Sequence, residues 1–175
     1  MISTDTPTSP VWRTLMLCLA VILVVFHLGL IFSGLVPNLV SRPLHLALAL
    51  PWIFLFVEGG LLKRASGVVL CVLGVAACLW VAINQDMLSD QYGFLEGSFQ
   101  YWLATLLLIV VLEGARRAIG WPLPIVAALA LAYGLFGQHI PGEFGHSGTP
   151  LASFLGTLTI AEGGIWGSLT GVSVN

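Results

Sequence analysis

Long apolar stretches, separated by short groups of charged residues, dominate the pattern along this chain. A bilayer core about 30 Å thick needs roughly 20 apolar residues at a rise of about 1.5 Å each. Because backbone polar groups in lipid must pair within their own segment, such stretches predict membrane-spanning helices. The neutral stretches lie between Arg13 and Arg42, Arg64 and Asp86, Glu96 and Glu113, and Arg117 and Glu143.

The pattern predicts five apolar helices and a final, weaker segment. The helices are expected over about residues 11–32, 44–62, 67–83, 99–112 and 123–137. A Gly-, Ser- and Thr-rich segment, partly associated with the membrane, follows over residues 151–175. We interpret residues 1–10 as a loosely ordered cytoplasmic tail, and the polar stretches 84–98 and 138–150 as aqueous loops.

Composition supports this assignment to the membrane. The chain is 58% hydrophobic and only 8% charged, with a mean hydropathy of +1.00, whereas soluble proteins carry roughly 25% charged residues. The sequence therefore predicts an all-α integral membrane protein. The net charge of -2 says nothing about nucleic acid, and no basic patch or stacking motif suggests a nucleic-acid partner.

The distribution of basic residues predicts the orientation. Short cytoplasmic loops are enriched in Lys and Arg, so the N-terminus is expected inside, with Arg42 as the one basic residue outside. The acidic stretch 84–98 and the loop 138–150 are then expected on the outer face of a bacterial inner membrane. The basic residues expected inside are Arg13, Lys63, Arg64, Arg116 and Arg117.

Several short motifs follow one another along the chain. The most extended one is Leu-Glu-Gly-Ala-Arg-Arg-Ala-Ile-Gly-Trp-Pro-Leu-Pro over residues 112–124. The others are Arg-Pro-Leu-His-Leu at 42–46, Tyr-Gly-Leu-Phe-Gly at 133–137, Pro-Gly at 141–142, His-Ser-Gly at 146–148, Glu-Gly-Gly-Ile-Trp-Gly at 162–167 and Gly-Val-Ser at 171–173. Together, these motifs resemble the fused membrane component of TAXI-type tripartite ATP-independent periplasmic (TRAP) transporters.

The resemblance implies a sodium-coupled importer of small organic solutes that depends on a soluble extracytoplasmic binding protein. Residues 11–117 would form the four-helix small membrane unit, and residues 118–175 would be the start of the large transport unit. Members of that family continue well beyond the Gly-Val-Ser motif, so we expect either a split gene or a fragment of a fusion. The implied role is scaffold and docking, with sodium bound in the large unit, no cofactor in this chain and no enzymatic activity.

The two outer stretches carry the residues that we predict to dock the soluble binding protein. Acidic side chains steer an encounter and fix its register more than they add affinity, although ordinary solvation also accounts for charged loops. The predicted docking residues are Asp86, Asp90, Glu96, His139, Glu143 and His146.

Two further groups are predicted to hold the chain in place. Glu113, Arg116 and Arg117 have helical i,i+3 and i,i+4 spacing, and together with Arg42 they are expected to anchor the chain to lipid headgroups or to the large transport subunit. Gly163, Gly167 and Gly171 form two small-xxx-small steps, which predict either close helix packing or an unwound segment.

We expect structural roles for the other His, Cys and Glu residues within the apolar segments. His27 and His45 each have no second ligand at i±3 or i±4, so a hydrogen bond within the helix bundle or an interfacial position is preferred to a zinc or haem site. Cys18, Cys71 and Cys78 are treated as small apolar residues, and Glu58 as an interfacial carboxylate. The alternatives left open are an accessory subunit of another tripartite solute carrier and a membrane-embedded redox subunit.

Overall fold

The computed structural model describes residues 10–34, 36–56, 60–167 and 170–172, and this part of the chain is helical. The α-helices with assigned bounds in this described part are α1 (Pro10–Ser33), α2 (Asn38–Phe54), α3 (Leu61–Ile83), α4 (Gln85–Asp90), α5 (Gly97–Ile119), α6 (Pro122–Phe136) and α7 (Leu151–Thr159). Single turns of 3-10 helix follow α6 at Gly137–His139 and Gly142–Phe144, and another follows α7 at Gly164–Trp166.

Three helices in the described residues are long and apolar enough to cross a membrane. They are α1, α3 and the helix that begins at Pro122, counted through His139. α2 spans 17 residues with Pro43 and Pro51 inside it, and α5 spans 23 residues with its charged cluster near the C-terminal end. The structure therefore confirms an all-helical chain that is compatible with a membrane.

The core lies where α2, α3 and α5 pack together. Its fully buried members include Leu50 of α2, Cys78 and Val81 of α3, and Leu107 of α5. Small residues let the helices approach, since a Cβ on Gly74 of α3 would lie 2.7 Å from the Leu50 side chain. These three helices form the packed centre of the described structure.

Two helices outside this core, α1 and α6, are far more exposed. Every residue of α1 is at least partly exposed, and Pro124 is the one buried residue of α6. Glycines allow α7 to pack closely against its neighbours. Gly156 of α7 lies against the carbonyl of Gly93, and Phe154 of α7 lies against Gly134 of α6. These contacts bring the stretch 84–98, the end of α6 and α7 to one end of the core.

The predicted boundaries differ from the structure in several places, among them the end of α5, which continues to Ile119, and the end of α2, which stops at Phe54. α2 begins at Asn38, earlier than expected, since Pro37 precedes its first turn as the helix cap. α3 begins at Leu61 and includes Lys63 and Arg64, because exposed charged side chains are compatible with helix. The expected aqueous loop at 84–98 contains α4, a six-residue helix with Leu88 buried against the core.

Candidate functional site

A cluster of one carboxylate and two guanidinium groups lies near the C-terminal end of α5. Nε of Arg116 is 2.6 Å from Oε2 of Glu113, and its Nη2 is 2.7 Å from Oε1. Nε of Arg117 is 2.7 Å from the same Oε1. The helical spacing predicted from the sequence is therefore realised, with Glu113 shared between both arginines.

Arg117 extends this cluster across to α3 and α2. Its Nη2 donates to the Ser66 hydroxyl at 2.8 Å, and its Nη1 donates to the Lys63 carbonyl at 3.2 Å. The guanidinium also lies 5.0 Å from the centre of the Phe54 ring, a cation–π distance. The side chain is only 3% exposed, so Arg117 joins the ends of the three core helices.

The electrostatics of the cluster follow from this geometry. Glu113 lies beyond the apolar part of α5. The hydrogen bond from Arg116 is the largest cause that lowers the pKa of Glu113, from 4.5 to about 2. Burial opposes this shift, and the hydrogen bond from Arg117 adds to it. Glu113 is therefore ionised at neutral pH. Arg116 also places its guanidinium 5.2 Å from the Trp121 ring, where α6 is about to begin.

Arg42, which the sequence predicts as an anchor to lipid or another subunit, binds within its own chain. Its Nη1 donates to the carbonyl oxygens of Trp166 and Gly167, and its guanidinium fills the space beside Gly171. Nearby, Nδ2 of Asn38 donates to Oε2 of Glu162 at 3.1 Å. The start of α2 thus holds the C-terminal segment through polar contacts.

The three predicted packing glycines do not share one helical face. Gly163 and Gly167 lie on either side of the 3-10 turn Gly164–Trp166, with extended backbone. Gly164 has φ of +50°, a conformation that glycine adopts readily and that interrupts an α-helix. Gly163 and Gly167 therefore lie in non-helical backbone, and close packing of these glycines against another helix or subunit stays a prediction.

Trp166 fixes the non-helical segment to α7. Its side chain is fully buried, and its indole Nε1 donates to the Thr159 carbonyl at 2.6 Å. A buried indole N–H requires such a partner. The sequence offered no sign of this contact beyond the aromatic residue itself.

The acidic docking candidates are exposed at the end of the core where α4 lies. Asp86 and Asp90 are in α4, and Asp86 accepts a hydrogen bond from Gln85. Glu96 precedes α5 and accepts from Gln91 at 3.2 Å. These carboxylates lie on the opposite side of the core from the Glu113 cluster, since α3 and α5 each run from one end to the other.

The docking candidates in the loop after α6 fall into two groups. His139 and Glu143 are exposed, each within a single 3-10 turn. His146 instead folds back onto α6, where its Nε2 is 3.1 Å from the Tyr133 carbonyl and its Nδ1 is 2.8 Å from the Ser147 carbonyl. The Tyr133 hydroxyl donates to the Phe144 carbonyl at 2.7 Å, closing the loop.

Two hydrogen bonds to backbone carbonyls favour the protonated form of His146. A carbonyl oxygen only accepts, so both ring nitrogens donate together only when the imidazole is protonated. The bonds to Ser147 and Tyr133 accordingly raise the pKa of His146 above 6.5. The ring also lies at the C-terminal end of α6, where the helix dipole favours the protonated form.

Sequence reasoning treated His27 and His45 separately, but the structure joins them. Nε2 of His27 in α1 is 2.9 Å from Nδ1 of His45 in α2. The two are 18 positions apart, so helical spacing gave no signal of the pair. Within the described residues, no group of three or more His, Cys, Asp or Glu is arranged to hold a metal ion. Glu58 lies outside the described residues.

Comparison with known proteins gives no further assignment. No family model, curated protein or solved structure matches this chain.

Proposed function

We propose that this chain is a membrane subunit of a sodium-coupled, binding-protein-dependent secondary transporter of the TRAP type, with a scaffold and docking role. The four-helix small unit would comprise α1, α2, α3 and α5, and α6 would be the first helix of the transport unit. The N-terminus would face the cytoplasm of a bacterium, and the solute would be chosen by partners outside this chain.

The observation that carries the proposal is the contrast between a packed core and two apolar helices that are largely exposed. α2, α3 and α5 are joined by packing and by Arg117, whereas α1 and α6 expose nearly all their apolar side chains. Burying a Leu or Val side chain contributes about 1.5–3 kcal/mol in water. Such surfaces favour lipid and a further membrane subunit as neighbours, as expected of a scaffold.

The charge of the two ends supports the proposed orientation. One end of the core carries Lys63, Arg64 and the Glu113 cluster, and the other carries the acids of α4 together with Glu96. The basic end fits the cytoplasmic face. The acidic end would then face outward, where a soluble binding protein docks.

Photo-crosslinking from defined positions in native membranes tests this role. A photoreactive residue at Val24 of α1 or Val126 of α6 is expected to capture a larger membrane protein, and one at Glu143 a soluble extracytoplasmic protein. The same residue at the buried Ala77 is the control and is expected to capture neither. Equal capture from all positions, or lipid adducts alone, would reject the scaffold role.

A further inference from the structure

A small cleft opens at the acidic end of the core, where α2, α4 and the segment after α7 meet. Its volume is about 220 Å³. Leu39 of α2 and Leu88 of α4, each 1% exposed, form an apolar floor. Ser89, Tyr92 and Glu162 are exposed and form the rim. The cleft is therefore apolar at its base and polar at its mouth.

The size of the cleft limits what can enter it. Sites for whole small molecules usually measure roughly 300–1,000 Å³ and enclose most of the ligand. At about 220 Å³ and with exposed residues at its rim, this cleft suits one long side chain that enters from the aqueous side. A side chain with an apolar stem and a polar end matches both the floor and the rim.

A carboxylate sets the charge that the cleft prefers. Oε2 of Glu162 accepts a hydrogen bond from Nδ2 of Asn38 at 3.1 Å, which ties the carboxylate to the first turn of α2. A carboxylate has about four acceptor positions, so Glu162 can accept further hydrogen bonds, and cationic donors form the strongest ones. None of the described residues that line the cleft is basic, and α4 adds the exposed carboxylates of Asp86 and Asp90.

Tyr92 favours a planar cation over a compact one. The residue is 93% exposed although it lines the cleft, and its φ of +49° is uncommon for a residue other than glycine. A guanidinium can stack on an aromatic ring and donate two parallel hydrogen bonds to a carboxylate at the same time. An ammonium group lacks this planar fork. The rim therefore matches arginine better than lysine.

We propose that this cleft is a socket for an arginine side chain of a soluble protein that docks on the outer face. The apolar stem lies on Leu39 and Leu88, and the guanidinium binds Glu162 beside the Tyr92 ring. The identity of the docking protein, as the extracytoplasmic binding protein, rests on the transport role proposed above. The preference for arginine rests on the residues that line the cleft.

Fluorine NMR of the full chain in phosphatidylcholine nanodiscs tests the socket. The sequence contains three tyrosines, so labelling with 3-fluorotyrosine gives three signals, and Tyr92→Phe identifies the one from Tyr92. The probes are the N-acetyl methylamides of arginine, of lysine and of citrulline, which has the shape of arginine without its charge. We expect the arginine probe to shift the Tyr92 signal saturably, the lysine probe to bind about fivefold more weakly, and the citrulline probe to give no saturable shift.

Two matched variants test the role of the carboxylate. Glu162→Gln keeps an acceptor for Asn38 but removes the charge, and it is expected to weaken binding of the arginine probe about tenfold. The control is Glu143→Gln, an exposed carboxylate outside the cleft, which is expected to leave binding unchanged. Equal binding of the arginine and citrulline probes, or no saturable shift with arginine, would overturn the proposal. Because the wild-type chain alone decides this, the test survives if a variant fails to fold.

The docking step is tested by the photo-crosslinking experiment from Glu143 in native membranes. Capture of the soluble protein is expected to fall at least fivefold in the Glu162→Gln background and to persist in the His139→Gln background; unchanged capture in Glu162→Gln would refute docking through the socket. If the arginine probe binds as expected but no larger membrane subunit accompanies the chain, the transport role fails and the socket stands. If that subunit co-purifies while the arginine probe gives no saturable shift, the socket fails and the transport role stands.

Discussion

Arg117 of α5 donates a hydrogen bond to Ser66 of α3, with the guanidinium Nη2 and the hydroxyl oxygen 2.8 Å apart. The two residues are 51 positions apart in sequence, and the bond lies where the α3 and α5 ends converge on Phe54. Arg117 also binds Glu113. One side chain thereby connects the local charge cluster of α5 with its neighbouring helix.

Replacing Arg117 by Met tests this connection. We expect Arg117→Met to lower the free energy of unfolding by about 1–3 kcal/mol, because Glu113 and Ser66 each lose a partner at a site of low exposure. Thermal unfolding of the protein in detergent measures the change. The control is Arg64→Met, which removes an exposed cation from the same end of α3 and is expected to have little effect; equal losses in both variants would contradict the account.

The pH dependence of stability tests the charge of Glu113. Its pKa in the folded chain is lowered from 4.5 to about 2, so its contribution is present above pH 4.5 and is lost as the pH falls through about 2. As the pH falls through this window, we expect the free energy of unfolding of the wild type to decrease. After screening by water, the decrease in Glu113→Gln is expected to be smaller by about 1 kcal/mol. Parallel curves for the two proteins, measured by thermal unfolding against pH, would argue against the ion pairs.

Close helix approach is tested at Gly67. A Cβ there would lie 2.4 Å from the Phe54 carbonyl oxygen and 2.9 Å from Nη1 of Arg117. Because a backbone oxygen has little freedom to move, we expect Gly67→Ala to destabilise by about 1–3 kcal/mol. The matched control is Gly29→Ala in α1, where nothing lies within 4 Å of the new methyl, and its thermal midpoint is expected to stay the same or rise.

The helices themselves were largely predictable from sequence, because hydropathy and helix length follow from local composition. α1 was expected over residues 11–32 and is observed at Pro10–Ser33, and α6 was expected over 123–137 and is observed at Pro122–Phe136. α4 was missed because a six-residue polar helix has no apolar periodicity.

Contacts between distant residues were the part that sequence did not provide. The bond from Arg42 to the Trp166 carbonyl joins residues 124 positions apart, and only the packing of α2 against the C-terminal segment places them together. The Glu113 cluster was predictable because its members are three and four residues apart on one helix. Its connection to Ser66 was not, since a sequence alone gives no pairing between helices.

The loop after α6 is expected to respond to pH through His146. Since its pKa is raised in the folded chain, the contribution of its two hydrogen bonds is complete below about pH 6.5 and is lost as the pH rises through the folded value. We expect faster amide hydrogen exchange over residues 137–150 at alkaline pH, after correction for the intrinsic rate. His146→Gln is expected to remove this dependence and His139→Gln to retain it; the reverse pattern would refute the role of His146.

Affinity purification from native membranes tests the central claim, that this chain is the scaffold subunit of a binding-protein-dependent transporter. The chain carries a tag, and the complex is isolated in mild detergent and reconstituted into liposomes. The account predicts that a larger membrane subunit co-purifies in fixed stoichiometry, and that sodium-dependent solute uptake requires both subunits and the soluble binding protein. A chain that purifies alone and transports solute unaided would contradict it.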